Sequence, residues 1–274
     1  MLDLDLPLGK GKLPRAVLFS KWHALGNAYL LVERDDAGGP LDAERARLLC
    51  DRHVGVGADG VLEVVSLDRD SAELTVWNPD GSTAELSGNG ARIAARWLGE
   101  RAGSSTVRLT VGERELAAAL LDGDDVCLDV GIVRVYELET VVVGEELVEL
   151  TRVSVGNPHA VVRAEPDRQT LLHLGPALET HPRFPDRTNV QLARVDGPNE
   201  LTVAVWERGV GETLSSGTSA VAAAAAAVAN RWAESPLTVH LPGGALLVEL
   251  DEENRARLTG PAVEICRGEL VQGV

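Results

Sequence analysis

The sequence predicts an α+β protein of two pseudo-symmetric halves, each mainly β-sheet with a central helix. Three observations predict it: an internal repeat, short alternating runs between the repeated features, and two alanine-rich apolar stretches that each follow a Ser-Gly pair. The repeat comes first. Val76-Trp77-Asn78 returns as Val205-Trp206-Glu207, and ten residues after each tryptophan stands a serine followed by glycine, Ser87-Gly88 and Ser216-Gly217. The offset is 129 residues throughout. Upstream, Gly26-Asn27 before Leu30-Leu31-Val32 returns as Gly156-Asn157 before Ala160-Val161-Val162, at an offset of 130. Features paired at one spacing mark a duplicated unit. They place a break between the halves around Val130 to Tyr136.

The elements follow in order. Glu44 to Leu49 reads as helix and Val61 to Val65 as strand. Ala72-Glu73-Leu74-Thr75-Val76 and Leu201-Thr202-Val203-Ala204-Val205 alternate with period two, the mark of strands with one buried face. Ala91 to Ala95 and Ala220 to Ala229 read as buried helices. Gly55-Val56-Gly57-Ala58-Asp59-Gly60 formally fits G-x-G-x-x-G. A dinucleotide loop runs from strand to helix, whereas this one runs from helix to strand, so that reading is rejected.

Composition narrows the function classes. The chain has 274 residues, 45% hydrophobic but only 3% aromatic, so its core is aliphatic. A net charge of −16 repels phosphate backbones and argues against nucleic-acid partners. Apolar runs are too short or too interrupted for a membrane span, and the start lacks a basic signal region. A cytoplasmic protein is expected. Cys50, Cys127 and Cys266 are far apart, each among apolar neighbours, and read as small buried hydrophobes rather than a disulfide framework or metal site.

Ser87 and Ser216 each precede a long apolar helix. Serine there is a good N-cap, and a helix N-terminus offers unpaired N–H groups and partial positive charge. Two related halves bring two such termini together as a cradle for one carboxylate, with a hydroxyl on each side. Such a cradle suits substrates and products that are mirror images at one carbon. Asn27, Asn78, Asn157, Asn189, Glu207 and Arg208 cluster at strand–loop junctions. Each asparagine also makes sense as a turn residue. Arg208 offers a fork donor for a second carboxylate, or a surface charge. His159 is the histidine best placed to tune or relay a proton, and equally suits a structural role. His173, His181 and His240 have no comparable context.

Six segments carry a family resemblance: Lys21-Trp22-His23-Ala24-Leu25-Gly26-Asn27, Gly55 to Gly60, Asn78-Pro79-Asp80-Gly81-Ser82, Gly88-Asn89-Gly90-Ala91-Arg92, Gly156-Asn157-Pro158-His159 and Glu207 to Leu214. In content, order and spacing they resemble the diaminopimelate epimerases, from about Val17 to Leu270. The resemblance implies two pseudo-symmetric domains, each a sheet or barrel wrapped around its helix, with the site between them. It divides the chain into residues 17–133, joined by a returning strand 262–270, and residues 134–261, with 1–16 as an extension. It further implies a homodimer that uses neither pyridoxal phosphate nor metal, with no cofactor of any kind. The substrate would be a small amino acid with two carboxylates, LL- or meso-diaminopimelate, in the pathway to lysine and peptidoglycan precursors.

Carried over by position, the family's two reacting cysteines fall on Ser87 and Ser216, assisted by His159 and Glu207. Asn27, Asn78, Asn157, Asn189, Glu207 and Arg208 would hold the substrate. The N–H groups of Gly88, Asn89, Gly217 and Thr218 would hold its α-carboxylate. The chain departs from the family pattern at the two serines, and also at Ala24, Ala28-Tyr29 and Ser219. A thiol ionises near neutrality and a serine hydroxyl does not. Besides an epimerase, the sequence therefore leaves open a ligand-binding relative with impaired chemistry, or an isomerase or dehydratase that uses serine on another amino acid.

Overall fold

The computed structural model describes residues 17–270. The extension expected over residues 1–16 lies outside the described residues. The first half holds β1 (Val17–Ala24), β2 (Asn27–Glu33), α1 (Ala43–Cys50), β3 (Val61–Leu67), β4 (Ser71–Trp77), β5 (Thr83–Ala84), α2 (Gly88–Ala102), β6 (Thr106–Val111), β7 (Arg114–Leu120) and β8 (Asp125–Ile132). There follow β9 (Arg134–Val143), β10 (Glu146–Ser154), β11 (Pro158–Arg163), α3 (Arg168–Glu179), β12 (Asn189–Gly197), β13 (Glu200–Glu207), β14 (Gly211–Thr213), α4 (Gly217–Ala229), β15 (Leu237–Leu241), β16 (Gly244–Leu250), β17 (Arg255–Pro261) and β18 (Val263–Leu270).

Strand pairing repeats the sequence repeat. β1, β2, β3, β4, β6, β7 and β8 pair in that order, and β10, β11, β12, β13, β15, β16 and β17 pair in the same way. In both runs the second and third strands are parallel, as are the fourth and fifth. The two runs join antiparallel at β8 and β17. The outermost strands are exchanged. β9, which follows the first run, pairs with β10, and β18, which follows the second, pairs with β1.

Each run curves around one helix. α2 packs against β1, β2, β4, β6, β7 and β8, while α4 packs against β9 to β13 and β15 to β17. A helix enclosed on all sides must be apolar all round, which explains the alanine-rich segment. Residues Gly217 to Ala227 are all buried. Small side chains let the strands approach closely, and branched residues such as Val203, Val205, Leu237 and Val248 fill the gaps. The outer sheet faces are covered by α1, through Leu49 against Leu30 and Val61, and by α3, through Leu171, Leu174 and Leu178 against Val190 and Leu192.

One reading from the sequence needs correction. Cys50 is a buried small hydrophobe, but Cys127 is half-buried and Cys266 is exposed. Cys266 sits on β18, which among the described residues pairs only with β1, and its apolar neighbour Ile265 is exposed as well.

Candidate active site

The site is built where α2 and α4 meet at their N-termini. A Cβ on Gly88 would lie 3.1 Å from the Gly217 Cα, and one on Gly217 would lie 3.2 Å from the Gly88 Cα. A side chain at either position would crowd the other helix's backbone, and glycine avoids that. The first intrahelical bonds are Ala91 N–H to the Ser87 carbonyl and Ala220 N–H to the Ser216 carbonyl. The N–H groups of Gly88, Asn89, Gly217 and Thr218 therefore have no intrahelical acceptor. Both helix dipoles present their positive ends at this point.

Asn89 and Arg92 tie the two termini together. The Asn89 amide donates to Asn27 Oδ1 (3.0 Å) and to the Ser215 carbonyl in the other half (3.1 Å). Arg92, fully buried, donates to Asn89 Oδ1 (2.9 Å) and to the Gly88 carbonyl (3.4 Å). Burial lowers its guanidinium to about 10, with Asp125 opposing that shift, so it stays charged at neutral pH. A buried cation beneath two positive helix ends makes the region strongly attractive to an anion.

The two serines differ. Ser87 Oγ accepts from Gly90 N–H (3.0 Å), an ordinary cap, and lies 3.0 Å from the Tyr29 hydroxyl. Ser216 is buried and makes no side-chain cap bond, so the capping reading holds for Ser87 alone. The Ser216 hydroxyl instead lies beside the Glu207 carboxylate. Burial raises the Glu207 carboxyl above its usual range, and the Ser216 hydroxyl partly offsets that.

His159 is buried, with both ring nitrogens engaged. Gln191 Nε2 donates to Nδ1 (3.1 Å), so the ring proton is on Nε2, which faces Asn157 Oδ1 (2.9 Å). Burial pushes the imidazole down to about 3, helped by the Arg208 charge and opposed by Gln191. It is neutral at physiological pH. Gln191 also reaches Ser219 Oγ at the start of α4 (3.0 Å), so His159 is coupled to that terminus.

The remaining candidates hold loops around this point. Asn27 faces Asp59 (3.4 Å), whose carboxylate also accepts from Ala28 N–H (2.8 Å). The Asn78 amide donates to Ser82 Oγ (3.0 Å). Asn189 donates to the Pro158 carbonyl (2.9 Å) and accepts from Arg208 N–H (3.0 Å), pinning the strand end that carries Arg208. The Arg208 guanidinium donates to the Asp186 carbonyl (3.1 Å). The repeated tryptophans have a shared purpose. Trp77 donates to buried Glu63 (3.0 Å) and Trp206 to buried Glu179 (2.7 Å), fixing the strand ends that carry Asn78 and Glu207. Sequence reasoning did not single out Tyr29 or Gln191 as site residues. The repeat contains the signal for Tyr29, because Gly26-Asn27-Ala28-Tyr29 aligns with Gly156-Asn157-Pro158-His159.

Two sheet-wrapped helices joined at their N-termini, with a hydroxyl on each side, define a duplicated fold of the epimerase type. A solved structure of a predicted epimerase from Pseudomonas aeruginosa has this fold, with a TM-score of 0.71 and 16% identity over 93% of this chain and 99% of that one. So does a hydroxyproline epimerase from Agrobacterium vitis, with a TM-score of 0.71 and 15% identity over 95% and 92%. Sequence is more specific. The profile of the diaminopimelate epimerases matches residues 19–133 and 151–265. A diaminopimelate epimerase of Desulfitobacterium hafniense is 39% identical, covering 92% of this chain and 97% of its own length. One from Synechococcus elongatus is 38% identical over 92% and 97%. The chain belongs to the diaminopimelate epimerase family, a family of isomerases.

Proposed function

We propose that this chain interconverts LL- and meso-diaminopimelate by moving a proton at the α-carbon, in the pathway to lysine and peptidoglycan precursors. The observation that carries this is the paired helix terminus at Gly88 and Gly217, flanked by Ser87 on one side and Ser216 with Glu207 on the other. The substrate α-carboxylate takes the N–H groups of Gly88, Asn89, Gly217 and Thr218, where the helix dipoles and Arg92 favour negative charge. The half 17–133 with its returning strand 262–270 supplies one wall, and 134–261 the other. Asn27, Asn78, Asn157 and Asn189 shape the pocket, and Arg208 takes the distal carboxylate.

Ser216 takes up the α-proton while Glu207 accepts the hydroxyl proton. Ser87 delivers a proton to the opposite face and regains one from solvent, as Glu207 gives its proton back to solvent. His159, neutral, orients Asn157 and steadies α4 through Gln191. The raised Glu207 carboxyl is a better base than an exposed one, and a hydroxyl needs such a base to react. The binding-only alternative gains no support from the relatives, which are epimerases over nearly their whole length.

The family homodimer is part of the same proposal. Tyr136, Leu138 and Val142 on the edge strand β9, with Leu147 opposite Val142 on β10, form an exposed apolar strip suited to a second copy. Free cysteines suit a reducing, cytoplasmic setting. No helix among the described residues is long and apolar enough to cross a membrane. The deciding experiment incubates the full chain with LL-diaminopimelate in deuterium oxide. Deuterium at the α-carbon with formation of the meso isomer is expected. Absence of both from a folded protein that binds the compound would reject the activity.

A further inference from the structure

Tyr29 stands at the position the repeat pairs with His159, yet its chemistry differs. Its hydroxyl lies 3.0 Å from Ser87 Oγ. The residue is buried, and its ring is wedged against Gly60, where an added Cβ would come within 2.5 Å of a ring carbon. The ring is therefore held in place. A serine hydroxyl has two acceptor lone pairs and one hydrogen. Gly90 N–H occupies one lone pair. A phenol is the stronger acid and its oxygen the poorer acceptor, so Tyr29 donates and occupies the other. Only the Ser87 hydrogen then remains for a ligand. Ser216 is placed differently, because it makes no cap bond and the Glu207 carboxylate beside it is an acceptor rather than a donor.

We propose that Tyr29 is a positioning residue that turns the Ser87 hydrogen toward the ligand in the resting protein, so that the two sides of a pseudo-symmetric cradle are chemically unequal before substrate binds. This rests on the reading of Ser87 and Ser216 as the reacting pair. Burial, chiefly, raises the Tyr29 hydroxyl above its ordinary range, so it remains a protonated donor at every working pH. Tyr29→Phe removes only the hydroxyl and keeps the ring that packs against Gly60, so the fold is preserved.

The test uses two readouts. In the first, Ser87→Cys places a thiol at the position, and its ionisation is followed by thiolate ultraviolet absorbance after subtraction of the parent chain's signal. A donor from Tyr29 stabilises the thiolate, so adding Tyr29→Phe is expected to raise the thiol's midpoint by about one pH unit. An unchanged midpoint overturns the proposal. In the second, Tyr29→Phe in the otherwise native chain is expected to lower kcat for α-deuterium exchange about tenfold with KM unchanged. A change confined to KM overturns it too. A parent chain without exchange would count against the proposed activity alone, because the thiol titration still decides the role of Tyr29.

Discussion

Replacing both Ser87 and Ser216 with cysteine tests whether these positions carry the chemistry. An ordinary thiol has a pKa of about 8.5, so about one in ten is ionised near pH 7.5. A helix N-terminus favours the anion by roughly 0.3–1 kcal/mol, which raises that fraction to between about one in seven and one in three. A serine hydroxyl contributes essentially no alkoxide and depends on Glu207. With acid–base groups worth about 10²–10⁴-fold, the Ser87→Cys, Ser216→Cys chain should gain about that factor in kcat/KM. The two substitutions should differ in stability. Ser87 loses a cap to Gly90 N–H (3.0 Å) and should cost about 1 kcal/mol, roughly 2–4 °C in Tm, whereas Ser216 has no cap to lose. Loss of the α-proton signal in deuterium oxide measures the rate, and chiral chromatography measures the meso product. A folded double variant no faster than its parent would refute the assignment of the reacting positions.

Three further outcomes are expected. Glu207→Gln should abolish exchange yet raise Tm at neutral pH. Its carboxyl is raised by burial, so the stability linked to its neutral form is lost as pH rises through the folded value. The Tm gain should therefore shrink below the ordinary carboxylate range, and a gain independent of pH in thermal melts would contradict this. His159 is held neutral down to about 3, so the unfolded chain binds a proton between that value and about 6.5 that the native one does not. Stability should fall as pH drops through that window, and denaturant titrations of His159→Asn should show a flatter acid limb. Gly88→Ala places a Cβ 3.1 Å from the Gly217 Cα and should destabilise by about 1–3 kcal/mol. That is opposite in sign to the usual helix preference for alanine over glycine, and calorimetry should also show weaker diaminopimelate binding.

Much of this arrangement is legible in the sequence because duplication writes each constraint twice. Trp77 and Trp206 mark the strand ends, and the Ser-Gly pairs mark both helix starts, since an enclosed helix needs small apolar residues immediately after its first turn. What differs between the halves is harder to read. Ser87 and Ser216 occupy equivalent positions, yet only one caps its helix. Their neighbours differ too, Tyr29 beside Ser87 and Glu207 beside Ser216, and these the local pattern does not reveal. Asn189 reads as a site amide, and its hydrogen bonds go to Pro158 and Arg208, which period-two patterning cannot foresee. Cys266 shows the limit of judging burial from apolar neighbours, because a strand can be apolar without being covered.

The exchange of β9 and β18 has a consequence for how the chain is made. The first run of strands is complete up to β8 well before residues 263–270 are made, and among the described residues its outer edge along β1 is covered only by those. During synthesis, β1 therefore waits with an unpaired edge while the whole second half is added. An open edge of this kind invites pairing with other chains, and nascent domains ordinarily close as they emerge. The second lobe, β9 to β17, comes from one contiguous stretch of the gene, whereas the first is finished only by β18, which acts as its clasp.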